Sequence, residues 1–291
     1  MLTYLQYVVI YTFVLGSIYL LIALGFSLIC GVLRIFHLGY AYIFPLTVYG
    51  TWMFMSALGW SLVPAIFGMV VIQFIISVLI YKGMIKKYMN TEDILLTALL
   101  LVALIVEQAA NYFYPVQAGV YLETTLVPGV LELGVVTIPK QLVISALIAL
   151  AMTGAFIFFF VKTKTGMAVR ALSQDIYSSR IVGINVETLY MITMMIVLLP
   201  VIIGMLLVAP VWAVEPGMGW LYMTTAILVA VLGGLGNIKG TIMASFLIGF
   251  AHAVVCFVIS EPRFMNLSAL ILVMVILVVR PQGLARSESL W

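Results

Sequence analysis

The chain has 291 residues, 65% of them hydrophobic and 8% charged, with a formal net charge of +3. Soluble domains average about 45–50% apolar and about 25% charged residues, so a soluble globule of this composition could not cover its surface with polar groups. Long continuous apolar runs exclude barrel strands, and cations confined to the intervals between runs give no nucleic-acid signature, which leaves an all-α, polytopic integral membrane bundle.

A bilayer crossing needs about 20 apolar residues. The first run, 7–31, has no basic segment before it, ends at Arg34 and reads as an uncleaved span. The second, 39–58, carries Pro45, which predicts a broken helix. The third, 61–81, ends in Lys82, Lys86 and Lys87, and the fourth, 94–114, follows the helix-start signal Thr91, Glu92, Asp93. Residues 115–140, with three prolines, two acids and one cation, read as a loop. The fifth span, 141–161, leads into the longest polar interval, 162–187.

That interval holds Lys162, Lys164, Arg170 and Arg180 against Asp175 and Glu187. Val169, Leu172 and Ile176 recur at helical spacing and predict a short helix, with Gly183 as its stop. The interval is either a solvated connector or a docking helix for a cytoplasmic partner. Beyond it come a sixth span, 189–209, containing Pro200, and a short loop, 210–219. Two short apolar pieces, 220–232 and 241–260, are joined by the glycine-rich stretch 233–240, and a last span, 267–279, stops at Arg280. The pattern predicts about eight to nine transmembrane segments. No linker separates two folded units, so residues 1–291 read as one transmembrane domain.

With the N-terminus outside and every segment crossing, all 13 cations except Lys140 and Arg263 fall on the cytoplasmic side. Such a bias predicts an external N-terminus and a cytoplasmic C-terminus. The 23 glycines lie mostly within or beside the spans, where small residues let helices approach.

No phosphate-binding loop, paired carboxylates, His-x-x-x-His or Cys-x-x-Cys set is present, and Cys30 and Cys256 read as buried thiols. The expectation is therefore a non-enzyme with no cofactor and no metal site. Glu107 is the one acid within a predicted span, and it should face the bundle interior or a wet cavity near Gln108 or Asn111, or else reach the outer interface. His37, Tyr40 and Tyr42 lie beside the break in the second span and read either as cavity-lining or as interfacial residues. Gly233, Gly234 and Gly236 read either as a tight turn with close helix packing or as flexible backbone along a translocation path.

Four segments carry a family resemblance. They are 165–175 continuing through 181–186, the glycine stretch 233–240, Arg280-Pro281-Gln282-Gly283-Leu284, and 91–97. Together they resemble the inner-membrane permease subunits of ABC importers for branched-chain amino acids, the LivH/LivM class, across essentially the whole chain. The resemblance implies a plasma-membrane permease domain without its own ATP site. A second homologous permease (hetero- or homodimer), two ABC ATPase subunits and an extracytoplasmic solute-binding protein would complete the machine in the lipid bilayer. The interval 162–187 would be the coupling loop, with Arg170, Ala171, Leu172, Gln174, Asp175, Ile176, Arg180, Gly183 and Asn185 as coupling residues. Val169, Leu172 and Ile176 would supply an apolar stripe for a groove on the ATPase. His37, Tyr40, Tyr42, Glu107, Gly233, Gly234 and Gly236 would border the substrate path.

One departure bears on cargo. The family usually carries Asn-(Phe/Leu)-Ala-His-Gly after the first span, whereas this chain has His37-Leu38-Gly39-Tyr40-Ala41. Urea or a short amide therefore competes with branched-chain amino acids as substrate. The alternative class is a stand-alone secondary transporter or channel, which needs coupling residues of its own within the spans.

Overall fold

The computed structural model describes residues 2–113, 121–122, 125–134 and 136–285. The first helix, α1 (Leu2–Leu33), leads through a 3-10 turn (Leu38–Tyr42) into α2 (Ile43–Ser56). Next, α3 (Leu62–Ile80) widens into a π turn (Tyr81–Ile85) and ends in α4 (Lys86–Tyr88), before α5 (Glu92–Phe113) returns. A hairpin of β1 (Val130–Leu133) and β2 (Val136–Pro139) precedes α6 (Lys140–Lys162). Two short helices, α7 (Lys164–Gln174) and α8 (Ile176–Ile181), then lead to α9 (Val186–Val208). The last three are α10 (Met218–Gly233), α11 (Ile238–Val254) with a π turn (Val255–Ile259), and α12 (Met265–Val279).

Seven of the described helices are long and apolar enough to cross a bilayer, namely α1, the α3–α4 run, α5, α6, α9, α11 with its π turn, and α12 with the turn before it. At 14 and 16 residues, α2 and α10 are shorter. The chain is a multi-pass helical membrane protein, with one small hairpin among the described residues, at the start of α6.

The core is α1. Of its apolar window 94% is buried, against 11% for α12. Being apolar on all sides does not by itself put it there, since α12 is as uniformly apolar and lies at the periphery. Lipid tails are as apolar as leucine, so close packing rather than water exclusion must hold the helices together. Small residues permit it, as a Cβ on Gly249 of α11 would lie 2.7 Å from the backbone nitrogen of Gly16. Hydrogen bonds fix the register. The Tyr40 hydroxyl donates to the Ile22 carbonyl at 2.8 Å, and Gln141 Nε2 donates to the Leu207 carbonyl at 2.9 Å.

The second span is broken, as its proline predicts, but Pro45 is not where it breaks. The irregular turn is Leu38–Tyr42, and Pro45 sits in the first turn of α2, where its missing N–H removes no helical bond. The amino end of α2 meets the amino end of α10. Gly219 abuts the Ala41 carbonyl, and the Phe44 and Tyr222 rings stack with centroids 5.6 Å apart.

The predicted loop 115–140 departs from expectation in its described part. Val130 pairs with Pro139 and Leu133 with Val136 in an antiparallel hairpin. Val136 and Ile138 point inward and Thr137 outward, while Gly134 turns the chain at φ +68°. Two alternations between prolines are too few to read as a strand from sequence.

Charge gathers at the opposite end of the bundle. Lys86 Nζ pairs with Glu187 Oε1 at 2.7 Å, joining α4 to the first turn of α9. Arg34 Nη2 donates to the Ser173 carbonyl at 3.1 Å and the Gln174 carbonyl at 3.4 Å, joining the end of α1 to the end of α7.

Candidate functional site

The pair α7–α8 is built by its caps. Thr163 Oγ1 accepts from Gly166 N at 3.0 Å and starts α7 directly after α6. Gly166 lies against the Phe160 backbone, where a Cβ would come to 2.5 Å of its Cα. Asp175 is extended (φ −149°) and separates the two helices. Its Oδ1 accepts from Tyr177 N at 2.8 Å and Ser178 N at 3.2 Å, and its Oδ2 accepts from the Ser178 hydroxyl. The Arg34 guanidinium closes the other side of the junction by covering the last carbonyls of α7. Gly183 then stops α8 at φ +85°, and Asn185 Oδ1 accepts from Thr188 N at 3.1 Å to start α9.

The bonds from the Ser178 hydroxyl and amide, then that from Tyr177, hold the Asp175 carboxyl below its ordinary value of 3.8. A carboxylate with a lowered folded-state pKa contributes its bonds above the ordinary value and loses them as pH falls through the lowered one. Amide protection at Tyr177 and Ser178 should therefore hold at neutral pH, persist through the ordinary carboxylate value of 3.8 and collapse only as pH falls through the lowered one. Asp175→Ala should show the collapsed pattern already at pH 7. Equal protection in this variant and the parent would remove Asp175 as the cap.

The expected apolar stripe is corrected by burial. Val169 and Leu172 are both 0% exposed, packed inward on their own chain, and Ile176 is partly buried on the next helix. Residues 164–174 are amphipathic, and the nearest apolar surface is the protein's own bundle, so the stripe is used there. A different set faces outward. Tyr177 is 74% exposed, Ile181 70% and Val182 74%. Ala171, Gln174, Asp175, Arg180, Gly183 and Asn185 are exposed around them, and Arg170 is partly buried, with Nη2 on the Val161 carbonyl at 3.2 Å. The spacing of four between Tyr177 and Ile181 was the signal available in the sequence, but the longer Val169–Ile176 stripe masked it.

The residues expected along the path are not brought together. His37, Tyr40 and Tyr42 are each at most 2% exposed, within the packing between α1, α2 and α5. Gly233, Gly234 and Gly236 are buried, and the stretch they belong to is a packing device. Gly233 faces Gly240 with no space for a side chain on either. Gly234 and Gly236 turn the chain at φ +93° and +81°. Asn237 Oδ1 accepts from Gly240 N, and Ser27 Oγ of α1 accepts from Gly236 N, both at 3.0 Å. The segment after α12 docks here too, with Leu284 N on the Leu232 carbonyl at 2.8 Å. Two of the segments that carried the family resemblance thus meet in space.

Glu107 lies fifteen residues along α5, roughly 22 Å from its start at 1.5 Å per residue. Its Oε2 accepts from Trp220 Nε1 at 2.6 Å, and its Oε1 lies against Gly217, the residue that opens α10. A carboxylate at a helix amino end meets that end's partial positive charge. The partner is therefore Trp220 and the start of α10, rather than Gln108 or Asn111. Glu107→Leu should lower thermal stability by about 2–3 kcal/mol through the unpaired indole and helix end. Glu107→Gln, which keeps an acceptor, should lower it by less. Tryptophan fluorescence melts in detergent would decide, and equal losses would remove the hydrogen bond as the cause.

One face of α5 remains open. Thr97, Leu101, Leu104, Gln108 and Asn111 follow one another at helical spacing and are all exposed. Amides at bilayer depth face water or protein rather than lipid. At the charged end, a cleft of about 410 Å³ opens beside α7–α8, lined by Arg34, Phe36, Asn90, Glu92, Ile176 and Tyr190 among others.

Comparison with known proteins finds relatives that match over most of the chain. LivH, a high-affinity branched-chain amino acid transport system permease protein of Escherichia coli strain K12, is 26% identical over 93% of this chain and 92% of its own length. BraD, the permease protein so described in Pseudomonas aeruginosa, is 30% identical over 52% of this chain, and the match spans 49% of BraD. Among solved structures, PsaBC from Streptococcus pneumoniae in complex with Fab aligns over 94% of this chain and 90% of its own, with 15% identity and a TM-score of 0.48. A family model described as "branched-chain amino acid transport system / permease component" matches residues 8–279. That match takes in the helical bundle from α1 to α12, α7–α8 included, and places the chain in the branched-chain amino acid transport permease family.

Proposed function

We propose that the chain is the membrane permease subunit of an ATP-driven importer, coupled to ATPase subunits through α7–α8. The observation that supports it is the apolar trio Tyr177, Ile181 and Val182. These residues are exposed on a capped two-helix projection at the cation-rich end of the bundle. Aqueous exposure of such a cluster calls for a protein partner. The cation bias makes that end cytoplasmic. On this reading the seven long helices and the two short ones, α2 and α10, all cross, which makes nine crossings with the N-terminus external. The open face of α5 then borders the path shared with a second permease, where Gln108 and Asn111 meet water. An extracytoplasmic binding protein delivers the solute from the other side.

The names of the relatives favour branched-chain amino acids as cargo. The departure at His37-Leu38-Gly39-Tyr40-Ala41 keeps urea or a short amide as the competing cargo. A stand-alone transporter is less well supported, because Glu107, the one acid beyond the first turn of a span among the described residues, is engaged by Trp220 and the start of α10. Uptake in vesicles should require ATP and the ATPase partner. Uptake that persists without either would overturn the importer reading.

A further inference from the structure

A groove of about 350 Å³ runs between α2, α3 and α5, in the half of the bundle away from the Lys86–Glu187 pair. Tyr49, Gly50 and Met53 share one face of α2 and form its floor. Met69 and Ile72 of α3 make one wall, and Val106 and Ala109 of α5 the other. The lining is apolar except for the Tyr49 hydroxyl, which donates to the Val214 carbonyl at 3.0 Å. A buried water needs two to four polar partners, so this space is not built for water. Left empty, it would cost its walls their dispersion contacts on one side. The groove therefore calls for an apolar occupant.

Depth and size narrow the occupant to a class. The α5 wall runs from Ile105 to Phe113, the end of that helix, and spans about 12 Å at 1.5 Å per residue. One leaflet of hydrocarbon is about 15 Å deep, so the groove fits within a single leaflet. Two aromatic pairs flank its mouth. Phe54 stacks on Trp60 with ring centroids 5.0 Å apart, and Phe113 meets Tyr112 edge-on at 5.2 Å. Trp60 is 43% exposed and Tyr112 81%, and such residues at helix ends mark the headgroup level. A chain entering between the pairs thus keeps its polar end among headgroups and lays its tail along α2. A helix is about 10 Å across, and a 12 Å length of it fills on the order of 1,000 Å³, too much for this space. At about 30 Å³ per methylene-sized group, the groove takes roughly a dozen, most of one acyl tail. No lining residue is charged, so a headgroup meets no fixed charge there. Successive helix residues stand about 100° apart, so Val106 and Ala109 look away from Gln108 and Asn111. A second permease on that open face would leave the groove uncovered.

We propose that this groove is a binding site for one acyl tail of a phospholipid, selected by the tail and not by the headgroup. The site rests on the bilayer alone and is independent of the transport reading. The test reconstitutes the full chain in vesicles of phosphatidylethanolamine whose tails carry a photoactivatable diazirine at mid-chain, and maps the labelled residues by mass spectrometry. Labelling at Met53 and Met69 should exceed that at Ile271 and Val275, exposed on α12, at least fivefold. Ala109→Phe, which puts a ring into the groove, should cut the groove labelling at least fivefold and leave α12 unchanged. Ile105→Trp, at an exposed side chain on the rim, gives the same reading if the first variant is not monodisperse. Phosphatidylglycerol with the same tails should label equally. The site is overturned if the groove is labelled no more than α12, if filling it leaves the labelling intact, or if the change of headgroup abolishes it. Labelling that disappears when the chain is assembled with a second permease would also overturn it, by giving the groove to a side chain of that neighbour.

Discussion

Aspartate at Ile181 and Val182 together should release the ATPase from the purified complex while leaving the permease folded in the membrane. Both side chains are about 70% exposed, so a charge there costs the isolated chain little. In a docked state the same positions would be desolvated. Apolar anchors at an interface are worth about 2 kcal/mol each, so losing two should weaken association roughly 10²–10³-fold. Leu172→Asp makes the contrast. Leu172 is fully buried, and an unpaired carboxylate there costs several kcal/mol, so that variant should lose the folded permease itself. Co-purification of the ATPase at parental levels with the Ile181→Asp, Val182→Asp double variant would refute docking through α8.

Gly240→Val should abolish folded protein. A Cβ at Gly240 collides with the Gly233 carbonyl, and a Cβ at Gly233 would come within 2.6 Å of the Thr241 nitrogen. Both obstacles are backbone, which has no rotamer into which to retreat. Ordinary overpacking costs about 1–3 kcal/mol, and a backbone clash exceeds it. The expected loss reaches beyond α10 and α11, because the Leu284 amide is anchored on the Leu232 carbonyl in the same corner. Gly154→Ala is the control. Nothing lies within 4 Å of that position in α6, so alanine there should stabilise by about 0.5–1 kcal/mol. Fluorescence-detected size exclusion of the two variants would separate the outcomes. A monodisperse Gly240→Val protein at parental yield would show that the corner is looser than its geometry.

The class of protein, the long spans and the helix within 162–187 were legible because each rests on one-dimensional patterns, such as apolar length, cation bias and helical spacing. The direction of a helix face was not. The spacing of Val169 and Leu172 announces burial without naming the surface that does the burying, and the chain's own bundle was the nearer one. The same limit applies to Glu107, whose partner Trp220 is 113 residues away and carries no local signal. The hairpin was hidden for another reason, since its pattern is only four residues per strand and is bounded by prolines. The glycine stretch was readable as a turn, and its contact with the segment after α12 appears only in three dimensions.

The burial of α1 also sets an order of events during synthesis. Tyr19 finds its partner 233 residues later in the chain, in α11. At about 5–20 residues per second, the interval between them is roughly 10–50 s. For that time the first helix stands in lipid without most of the neighbours that later enclose it, its Ser27 and Tyr19 hydroxyls still waiting for Gly236 and His252. The helix with the least contact with lipid in the finished protein is thus the one exposed to it longest, and it can settle only when the last third of the chain has emerged.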